Sequence, residues 1–302
     1  MTDRIHAIGY RPQPEPPRRL SAIWPIARTL VALALRKRAT KVVLALCLGV
    51  LAGHGVWLAV QLLSLRYAGE MRMHGAFGVT DLVGRVEEVF SSYLQVQFYF
   101  TVPAIAVVAG GAIAEDRRAG AFELYFSRPL TRMSYGIGKL LGTAAVPLVT
   151  LVAATLLLWL AAVGIAPEHL RADLWHIAPP ALAGAFLGTA VLTATLVGVS
   201  SLSRRATSVA VAFVALVVVG AGVAEGLAES GQLWGGYLSP ERNLRTVVDH
   251  LLDLGSPSLT GSLVPSRAMI NVHVMGSFVA LLSFIGAGLL AFWVALRREV
   301  RS

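Results

Sequence analysis

The stretch AEDRRAGAFELYFSRPLTRMSYGIGK, residues 114–139, holds eight charged residues in 26 positions and lies between two long apolar runs. The chain as a whole is 56% hydrophobic and only 14% charged, with a mean hydropathy of +0.67. A soluble domain carries roughly 25% charged residues. Most of the chain is therefore expected to lie in lipid, and the charged stretch is expected to connect two membrane spans.

The apolar runs on either side of this stretch belong to a larger set. A spanning helix needs about 20 predominantly apolar residues. Six segments meet that requirement, at residues 42–65, 93–114, 140–165, 177–201, 206–225 and 270–296. We therefore expect an all-α polytopic membrane protein with six transmembrane helices, whose transmembrane domain covers residues 42–302.

The basic residues are concentrated on one side of the predicted membrane. Of the 26 Lys and Arg residues, 19 fall in four segments that share a side: residues 1–41, 115–139, 203–205 and 297–302. The positive-inside rule makes this side cytoplasmic. Both termini are then cytoplasmic, as an even number of spans also requires. The expected location is the bacterial cytoplasmic (inner) membrane, crossed several times.

The predicted spans contain almost no ionisable residues. Only His54 lies well inside a span, and Glu225 lies at the outer end of the fifth. Ion-coupled carriers usually keep a charged residue at membrane depth, where it is costly and functional. This pattern argues against an ion-driven secondary transporter, so the energy source is expected to act from outside the membrane.

The segment before the first span has two parts. Residues 1–19 are rich in Pro and Arg and are expected to be disordered. Residues 20–41 repeat apolar positions at helical spacing before a basic cluster, which predicts an amphipathic helix in the cytoplasmic interface. A twin-arginine signal at Arg18-Arg19 is the alternative, but Pro25 and Arg28 interrupt its apolar core.

A second amphipathic helix is predicted between the last two spans. Ser239 followed by Pro240 is a typical helix start. An apolar stripe follows at helical spacing, formed by Leu244, Val247, Val248, Leu251 and Leu252. We expect a short outer helix that rests on the outer leaflet or on the ends of the spans.

The loop at 115–139 has the composition of a docking element. Gly120 is expected to supply a bend, and Pro129 is expected to end a helix. Between them lies an apolar and aromatic cluster flanked by charges, formed by Phe122, Leu124, Tyr125 and Phe126. An apolar centre with a charged rim is typical of protein interfaces. A plain basic loop that obeys the positive-inside rule is the alternative.

The loop resembles the signature of ABC-2 type permeases, in which a pattern E…G-T-L-E-x-L-L-S-R-P-x-(T/S)-R…GK links the second and third spans. It is similar in particular to the branch that contains the permease of the nitrous-oxide-reductase maturation system. Two dipeptides depart from the pattern, Ala121-Phe122 and Tyr125-Phe126. The matching residues are Glu115, Gly120, Glu123, Ser127, Arg128, Pro129, Arg132, Gly138 and Lys139.

The resemblance implies that the loop is a cytoplasmic coupling helix seated in a cleft of a separate ABC ATPase. It implies two ATPase copies, a second permease copy that is identical or homologous, and ATP and Mg bound by the partner rather than by this chain. The residues expected at the ATPase-coupling interface are Glu115, Gly120, Phe122, Glu123, Arg128, Pro129 and Arg132.

The chain itself lacks an ATPase motif. Gly138-Lys139 is the only Gly-Lys pair in the sequence. A P-loop requires a glycine at position 133 and Ser or Thr at position 140, where the chain has Met133 and Leu140. We therefore expect a non-enzymatic subunit with no catalytic residues and no cofactor of its own.

Several weaker signals leave alternatives open. Met71, Met73 and His74 are soft donors that suit Cu(I), although loop methionines more often only pack. His54 is expected to donate a hydrogen bond between helices. The glycine pairs Gly49/Gly53 and Gly184/Gly188 allow close helix packing, within the subunit or in a dimer. Thr101, Pro103 and Gly110-Gly111 are expected to kink the second span.

Two functional hypotheses from different classes remain. The first is the permease subunit of an ABC exporter, with membrane lipid around it, a periplasmic accessory protein as a further candidate partner, and no nucleic acid. The second is a non-transporting membrane anchor that recruits a cytoplasmic assembly through the 115–139 loop. A polytopic membrane enzyme is disfavoured because the span ends lack a polar catalytic cluster.

Overall fold

The computed structural model describes residues 23–70, 79–122, 130–254 and 273–299. Their helices are α1 (Ile23–Arg36), α2 (Arg38–Glu70), α3 (Val79–Ala109), α4 (Ala114–Arg118), α5 (Arg132–Pro147), a π-helical segment (Leu148–Ala153), α6 (Ala154–Ile165), α7 (Glu168–Arg171), a 3₁₀ turn (Asp173–Ile177), α8 (Ala178–Leu202), α9 (Ala206–Glu229), a 3₁₀ turn (Leu233–Leu238), α10 (Pro240–Leu251) and α11 (Val274–Glu299).

Within the described residues, six helical stretches are long and apolar enough to cross a membrane, which confirms the predicted number of spans. We call them spans 1 to 6, and they cover Arg38–Leu63, Gly84–Arg118, Arg132–Ile165, Asp173–Leu202, Ala206–Glu229 and Val274–Arg298. No strand occurs among the described residues, so the all-helical prediction is confirmed for that part of the chain.

The helices around the first predicted outer loop are longer than the spans alone require. The helix α2 extends to Glu70 and α3 already begins at Val79, so most of residues 66–92, which lie between the first two predicted spans, are helical. A helix of this length measures about 50 Å, against about 30 Å for the hydrocarbon core. The three candidate copper ligands Met71, Met73 and His74 lie outside the described residues.

Spans 2 and 4 form the centre of the bundle. In their most apolar windows 72% and 67% of the residues are buried inside the protein, against 17% for each of spans 1 and 5. Because an apolar residue that is exposed in this bundle faces lipid or another protein, spans 1 and 5 are the peripheral helices.

Spans 4 and 6 cross at two glycines. A Cβ built at Gly198 would lie only 2.7 Å from the Cα of Gly288, and a Cβ at Gly288 would collide with the carbonyl of Ala194. Small residues at a crossing let two helix backbones approach closely in a membrane. This crossing fixes span 6 against the central span.

Span 2 is interrupted at the Gly110-Gly111 pair. Regular helix ends at Ala109 and resumes at Ala114, while Pro103 stays inside the helix. The hydroxyl of Ser200 in span 4 completes the interruption, because it donates to the carbonyl of Gly110 and accepts from the amide of Ile113 at 3.2 Å. The interruption therefore lies at one of the positions where the sequence predicts a kink, the glycine pair.

Span 3 contains a π-helical segment that the sequence pattern does not reveal. The segment follows Pro147 and covers residues 148–153. The hydroxyl of Tyr93 in span 2 donates to the carbonyl of Thr150, at 3.2 Å. Widened turns of this kind leave carbonyl groups without a regular partner, and a neighbouring span supplies one here.

The N-terminal helix is shorter than predicted. The helix α1 ends at Arg36, and residues 38–41 already belong to span 1. Along one face α1 packs against span 3, where a Cβ at Gly142 would lie 3.2 Å from the Cα of Ala27. The predicted disordered segment 1–19 lies outside the described residues.

The helix α10 begins as the sequence indicates. The Oγ of Ser239 accepts a hydrogen bond from the amide of Arg242 at 3.2 Å, and Pro240 occupies the first turn. The apolar stripe, except for the exposed Leu251, packs against the bundle, and a Cβ at Gly188 of span 4 would lie 3.0 Å from Leu244 while one at Gly184 would collide with Val248. This glycine pair therefore packs within the subunit.

The first glycine pair and the nearby histidine behave differently. A Cβ at Gly49 or Gly53 would meet nothing within 4 Å. The Nδ1 of His54 lies 3.0 Å from the carbonyl of Val50 in its own helix. The prediction that His54 donates a hydrogen bond to another helix was therefore wrong, because its partner Val50 lies in the same helix. The imidazole instead contacts span 2 edge-on, with its centroid 5.4 Å from the ring of Tyr93.

Candidate functional site

A buried ion pair joins spans 2 and 3 where the 115–139 loop begins and ends. The Nζ of Lys139 lies 2.6 Å from Oδ2 of Asp116 and donates to the carbonyl of Ala112, also at 2.6 Å. The hydroxyl of Tyr135 donates to the same Asp116 oxygen at 2.7 Å. We call Asp116, Tyr135 and Lys139 the loop base.

Local sequence explains why these three groups meet. The N-terminal end of α5 is fixed by Thr131, whose Oγ1 accepts from the amide of Ser134 at 3.2 Å. Tyr135 and Lys139 are four positions apart in α5 and so share one helix face. Asp116 lies in α4, directly after the interruption of span 2, which directs this short helix toward α5.

An aromatic cluster lies beside the loop base. The ring of Phe122 meets the ring of Tyr135 edge-on, with centroids 5.4 Å apart. Edge-to-face aromatic pairs stabilise by about 0.5–1.5 kcal/mol beyond their burial. The cluster draws on spans 2, 3, 4 and 6, and its other members are Ile113, Val197, Phe292 and Leu296.

Span 4 is tied to the same point. The guanidinium of Arg117 donates to the carbonyl of Ser201 at the end of α8. Together with the Ser200 hydroxyl, this contact links the start of the loop to the central helix of the bundle. A force on the loop would therefore reach spans 2, 3 and 4 together.

The structure describes four of the seven residues expected at the ATPase interface. Glu115 and Arg132 are exposed, and Gly120 has a φ of +63°, which makes the predicted bend at that residue. Phe122 is buried in the aromatic cluster, so its side chain contacts its own chain. The other three, Glu123, Arg128 and Pro129, lie outside the described residues together with Ser127.

At the opposite end of the bundle, α10 contributes a polar network. The hydroxyl of Tyr99 in span 2 donates to Oε2 of Glu241 at 2.9 Å. The hydroxyl of Ser91 donates to Asp249, and Nε of Arg245 lies 3.4 Å from the other oxygen of that carboxylate. These contacts hold the buried face of α10 on span 2.

Burial dominates the electrostatics of the two carboxylates of α10. It raises the pKa of Glu241, although the hydrogen bonds from Tyr99 and Gln95 act in the opposite direction. Burial likewise raises the pKa of Asp249, against the hydrogen bond from Ser91 and the nearby charge of Arg245. Both carboxylates therefore hold a proton at higher pH than an exposed carboxylate does.

The sequence did not reveal the role of Asp116 in the loop base or that of Glu241 in the polar network of α10. Lys139 and Gly120 belong to the signature, but the partner of Lys139, Asp116, was counted only as a loop charge. The spacing of Tyr135 and Lys139 was a usable signal, because it places a hydroxyl and an ammonium on one face of a helix. Nothing in the sequence pairs Glu241 with Tyr99, since 142 residues separate them.

The described residues offer no group of three or more His, Cys, Asp or Glu side chains placed to hold a metal ion. The arrangement also brings together no nucleophile, base and oxyanion site. It consists of the loop base at one end of the bundle and, at the other, the helix α10, which polar contacts hold on span 2. Such a geometry can transmit and gate movement.

A family comparison places the chain among known proteins. The sequence profile of the ABC-2 family transporter proteins matches residues 28–297, nearly the whole chain. The chain belongs to the ABC-2 transporter family. It is thus a multi-pass membrane component of a transport system, as the loop signature indicated. None of the curated proteins compared with the chain matches it.

Proposed function

We propose that the chain is the permease subunit of an ABC exporter, which couples ATP hydrolysis by a separate ATPase to movement of a substrate across the cytoplasmic membrane. The loop base is the observation that carries this proposal. Lys139 and Asp116 connect two spans directly beneath the loop that bears the family signature. In the proposed orientation this end of the bundle faces the cytoplasm, where ATP is available.

The loop base supports rigid transmission of movement from the loop to the spans rather than a flexible connection. An ion pair with 11% and 16% of its side chains exposed is protected from most of the screening that weakens surface pairs. The helix ends at Asp116 and Lys139 then move as one body when the loop is displaced. Rigid-body shifts of packed helices are a common way to convert such a displacement into opening of a path.

The proposed assembly has two permease copies and two ATPase copies, and the ATPase binds the ATP and Mg. The lipid-facing surface of span 1 supports a contact between permeases, because Gly49 and Gly53 leave open space there. Spans 1 and 5 are also the least buried in the single chain. The nitrous-oxide-reductase branch and a periplasmic accessory protein stay predictions.

The alternative is a membrane anchor that recruits a cytoplasmic assembly without transport. It shares the loop and the membrane domain with the first proposal. The interruption of span 2 at Gly110 and the π-helical segment of span 3 favour the permease, because irregular helices next to a docking loop suit moving parts. A passive anchor needs neither feature.

Charge reversal in the loop tests the proposal. The tagged chain is solubilised from its own host, and the co-purifying P-loop ATPase is quantified for the parent, for Glu123→Arg and for the matched control Glu229→Arg at the exposed far end of span 5. We expect stoichiometric ATPase with the parent and the control, and its loss with Glu123→Arg. Equal recovery with both variants would count against docking at this loop.

A further inference from the structure

A cavity of about 330 Å³ lies between α1, the end of span 2 and the start of span 3. We call it the α1 pocket. Cavities of roughly 300–1,000 Å³ are the size that small ligands occupy. The α1 pocket borders the loop base, because Asp116, Tyr135 and Lys139 form part of its wall.

One wall of the α1 pocket is apolar. It is built by Ile26, Leu30 and Leu33 of α1 and by Val108 of span 2. The three α1 residues recur at a spacing of three to four and so form one stripe of the helix. Ile26 and Leu30 also contact Gly138 and Gly142 of span 3, respectively, so the stripe lies at the edge of the contact between α1 and span 3 and lines the cavity from there.

The remaining wall carries two positive and two negative groups. Lys139 and Asp116 neutralise each other in the loop base. Lys37 and Glu115 also line the cavity, both are exposed, and neither forms an ion pair with a described residue. The side chain of Glu115 folds back over Gly111, where a Cβ would lie 2.5 Å from its Oε1.

This balance of charge identifies the class of ligand. Elsewhere at this end of the chain cations dominate, since 19 of the 26 basic residues belong to its four segments. An anionic ligand would find more cations on that surface than in the pocket. A cavity that offers a ligand one cation and one carboxylate without an ion-pair partner among the described residues, above an apolar wall, instead fits an amphiphile whose headgroup carries both charges.

We propose that the α1 pocket binds a zwitterionic phospholipid with a primary ammonium headgroup from the adjoining leaflet, with its phosphate at Lys37, its ammonium at Glu115 and its glycerol and upper acyl carbons against Ile26 and Leu30. A primary ammonium donates charge-assisted hydrogen bonds to a carboxylate, and a quaternary ammonium has no such donor. The lipid thereby joins α1 to the base of the loop.

The inference deepens the proposed function and rests on it only for the choice of the cytoplasmic leaflet. Lipid retention needs no ATPase, so its failure and the failure of ATPase docking are separate results. The purified full-length chain is exchanged into nanodiscs of equal parts phosphatidylethanolamine, phosphatidylcholine and phosphatidylglycerol. The lipids that stay bound after release into detergent are then counted by native mass spectrometry.

We expect the parent to retain phosphatidylethanolamine at least about tenfold over the other two lipids, as loss of one charge-assisted hydrogen bond implies. Glu115→Gln should abolish the preference over phosphatidylcholine, and Lys37→Gln should lower retention of both zwitterionic lipids. Arg36→Gln, an exposed neighbour that does not line the pocket, should bind as the parent does.

A charge-neutral variant keeps the test independent of the loop. Thr29 lines the pocket, and its hydroxyl donates to the carbonyl of Pro25 in its own helix. Thr29→Trp should fill the cavity and remove the retained lipid while the melting temperature stays near that of the parent. Equal retention of the three lipids by the parent, preference for phosphatidylglycerol, or unchanged retention by Glu115→Gln and Thr29→Trp would each overturn the proposal.

Discussion

The ammonium of Lys139 lies 2.6 Å from the carboxylate of Asp116, across the gap between spans 3 and 2. These residues lie close to the two ends of the charged stretch that interrupts the apolar sequence. The stretch is therefore tied to the bundle near both of its ends. In the proposed function the loop base receives the movement of the ATPase and passes it to the spans.

Removal of one partner of this pair should be costly. Lys139→Met leaves the Asp116 carboxylate largely buried beside an apolar side chain, and breaking a buried pair in this way costs about 3–5 kcal/mol. We expect a large drop in the melting temperature of the solubilised protein. The double variant Asp116→Leu/Lys139→Met should recover part of that loss, because no unpaired charge remains.

The exposed Arg132 provides the control for this experiment, since it lies in the same helix as Lys139. Arg132→Met should change the melting temperature little, because isolated surface charges contribute about 0–1 kcal/mol. If Lys139→Met melted at the same temperature as Arg132→Met, the loop base would not be a clamp.

The crossing of spans 4 and 6 predicts a sharp difference between two glycines of span 6. Gly288→Ala places a Cβ against the backbone of Ala194, and overpacking of this kind costs about 1–3 kcal/mol. Gly286→Ala meets nothing within 4 Å and should be neutral or stabilising by up to about 1 kcal/mol through helix propensity. Thermal melting of the two variants distinguishes them, and equal melting temperatures would disprove the close crossing.

The Ser200 hydroxyl should stabilise the protein because it hydrogen-bonds the backbone groups at the interruption of span 2. Ser200→Ala leaves the carbonyl of Gly110 and the amide of Ile113 without their partner, at about 1–3 kcal/mol for each buried group. Hydrogen exchange of the amides around residues 110–114 should become faster. Ser283→Ala is the control, because it removes a hydrogen bond to Val279 within its own exposed helix. If Ser283→Ala accelerated exchange at residues 110–114 as much as Ser200→Ala does, the Ser200 hydroxyl would not stabilise the interruption.

The raised pKa of Glu241 predicts how stability depends on pH. The folded protein keeps a proton that the unfolded chain, with an ordinary value of 4.5, releases. This contribution is complete below about that pH and is lost as pH rises through the folded pKa, so the melting temperature should fall as pH rises above 4.5. The groups that face Glu241 are Tyr99 and Gln95 of span 2, Glu225 of span 5, and Arg242 and Arg245 of α10.

The variant Glu241→Gln isolates this effect. It cannot ionise, so its melting temperature should depend less on pH than that of the parent. Glu168→Gln, at an exposed position in α7, should keep the dependence of the parent. The pKa of Asp249 is also raised by burial, so the melting temperature of Glu241→Gln should still fall with pH, but less steeply than that of the parent. Identical slopes for all three proteins would show that Glu241 does not carry the dependence.

The pattern of apolar residues was enough to predict the six spans, because a lipid environment imposes length and polarity on each helix separately. The start of α10 was equally local, since Ser239 and Pro240 act within one turn. The family was recognisable because its signature lies in one continuous loop. Each of these features depends on residues that are neighbours in sequence.

The features that sequence reasoning missed depend on distant residues. Whether Gly184 receives α10 or a second subunit is decided by Val248, 64 positions away, and the pairing of Tyr99 with Glu241 depends on how α10 sits on the bundle. The second span begins at Gly84 rather than at residue 93, because polar residues such as Glu87 can continue a helix beyond the apolar core. Glu87 does so by pairing with His176 at 3.0 Å.

Native mass spectrometry of the gently solubilised assembly shows whether the chain works as an ABC permease. We expect a particle that contains two copies of this chain, or one copy and a homologous permease, with two copies of a P-loop ATPase. The ATPase subunits should dissociate first, leaving the membrane subunits together. A particle of paired membrane subunits that never carries an ATPase, under conditions that preserve known membrane complexes of similar size, would contradict the account.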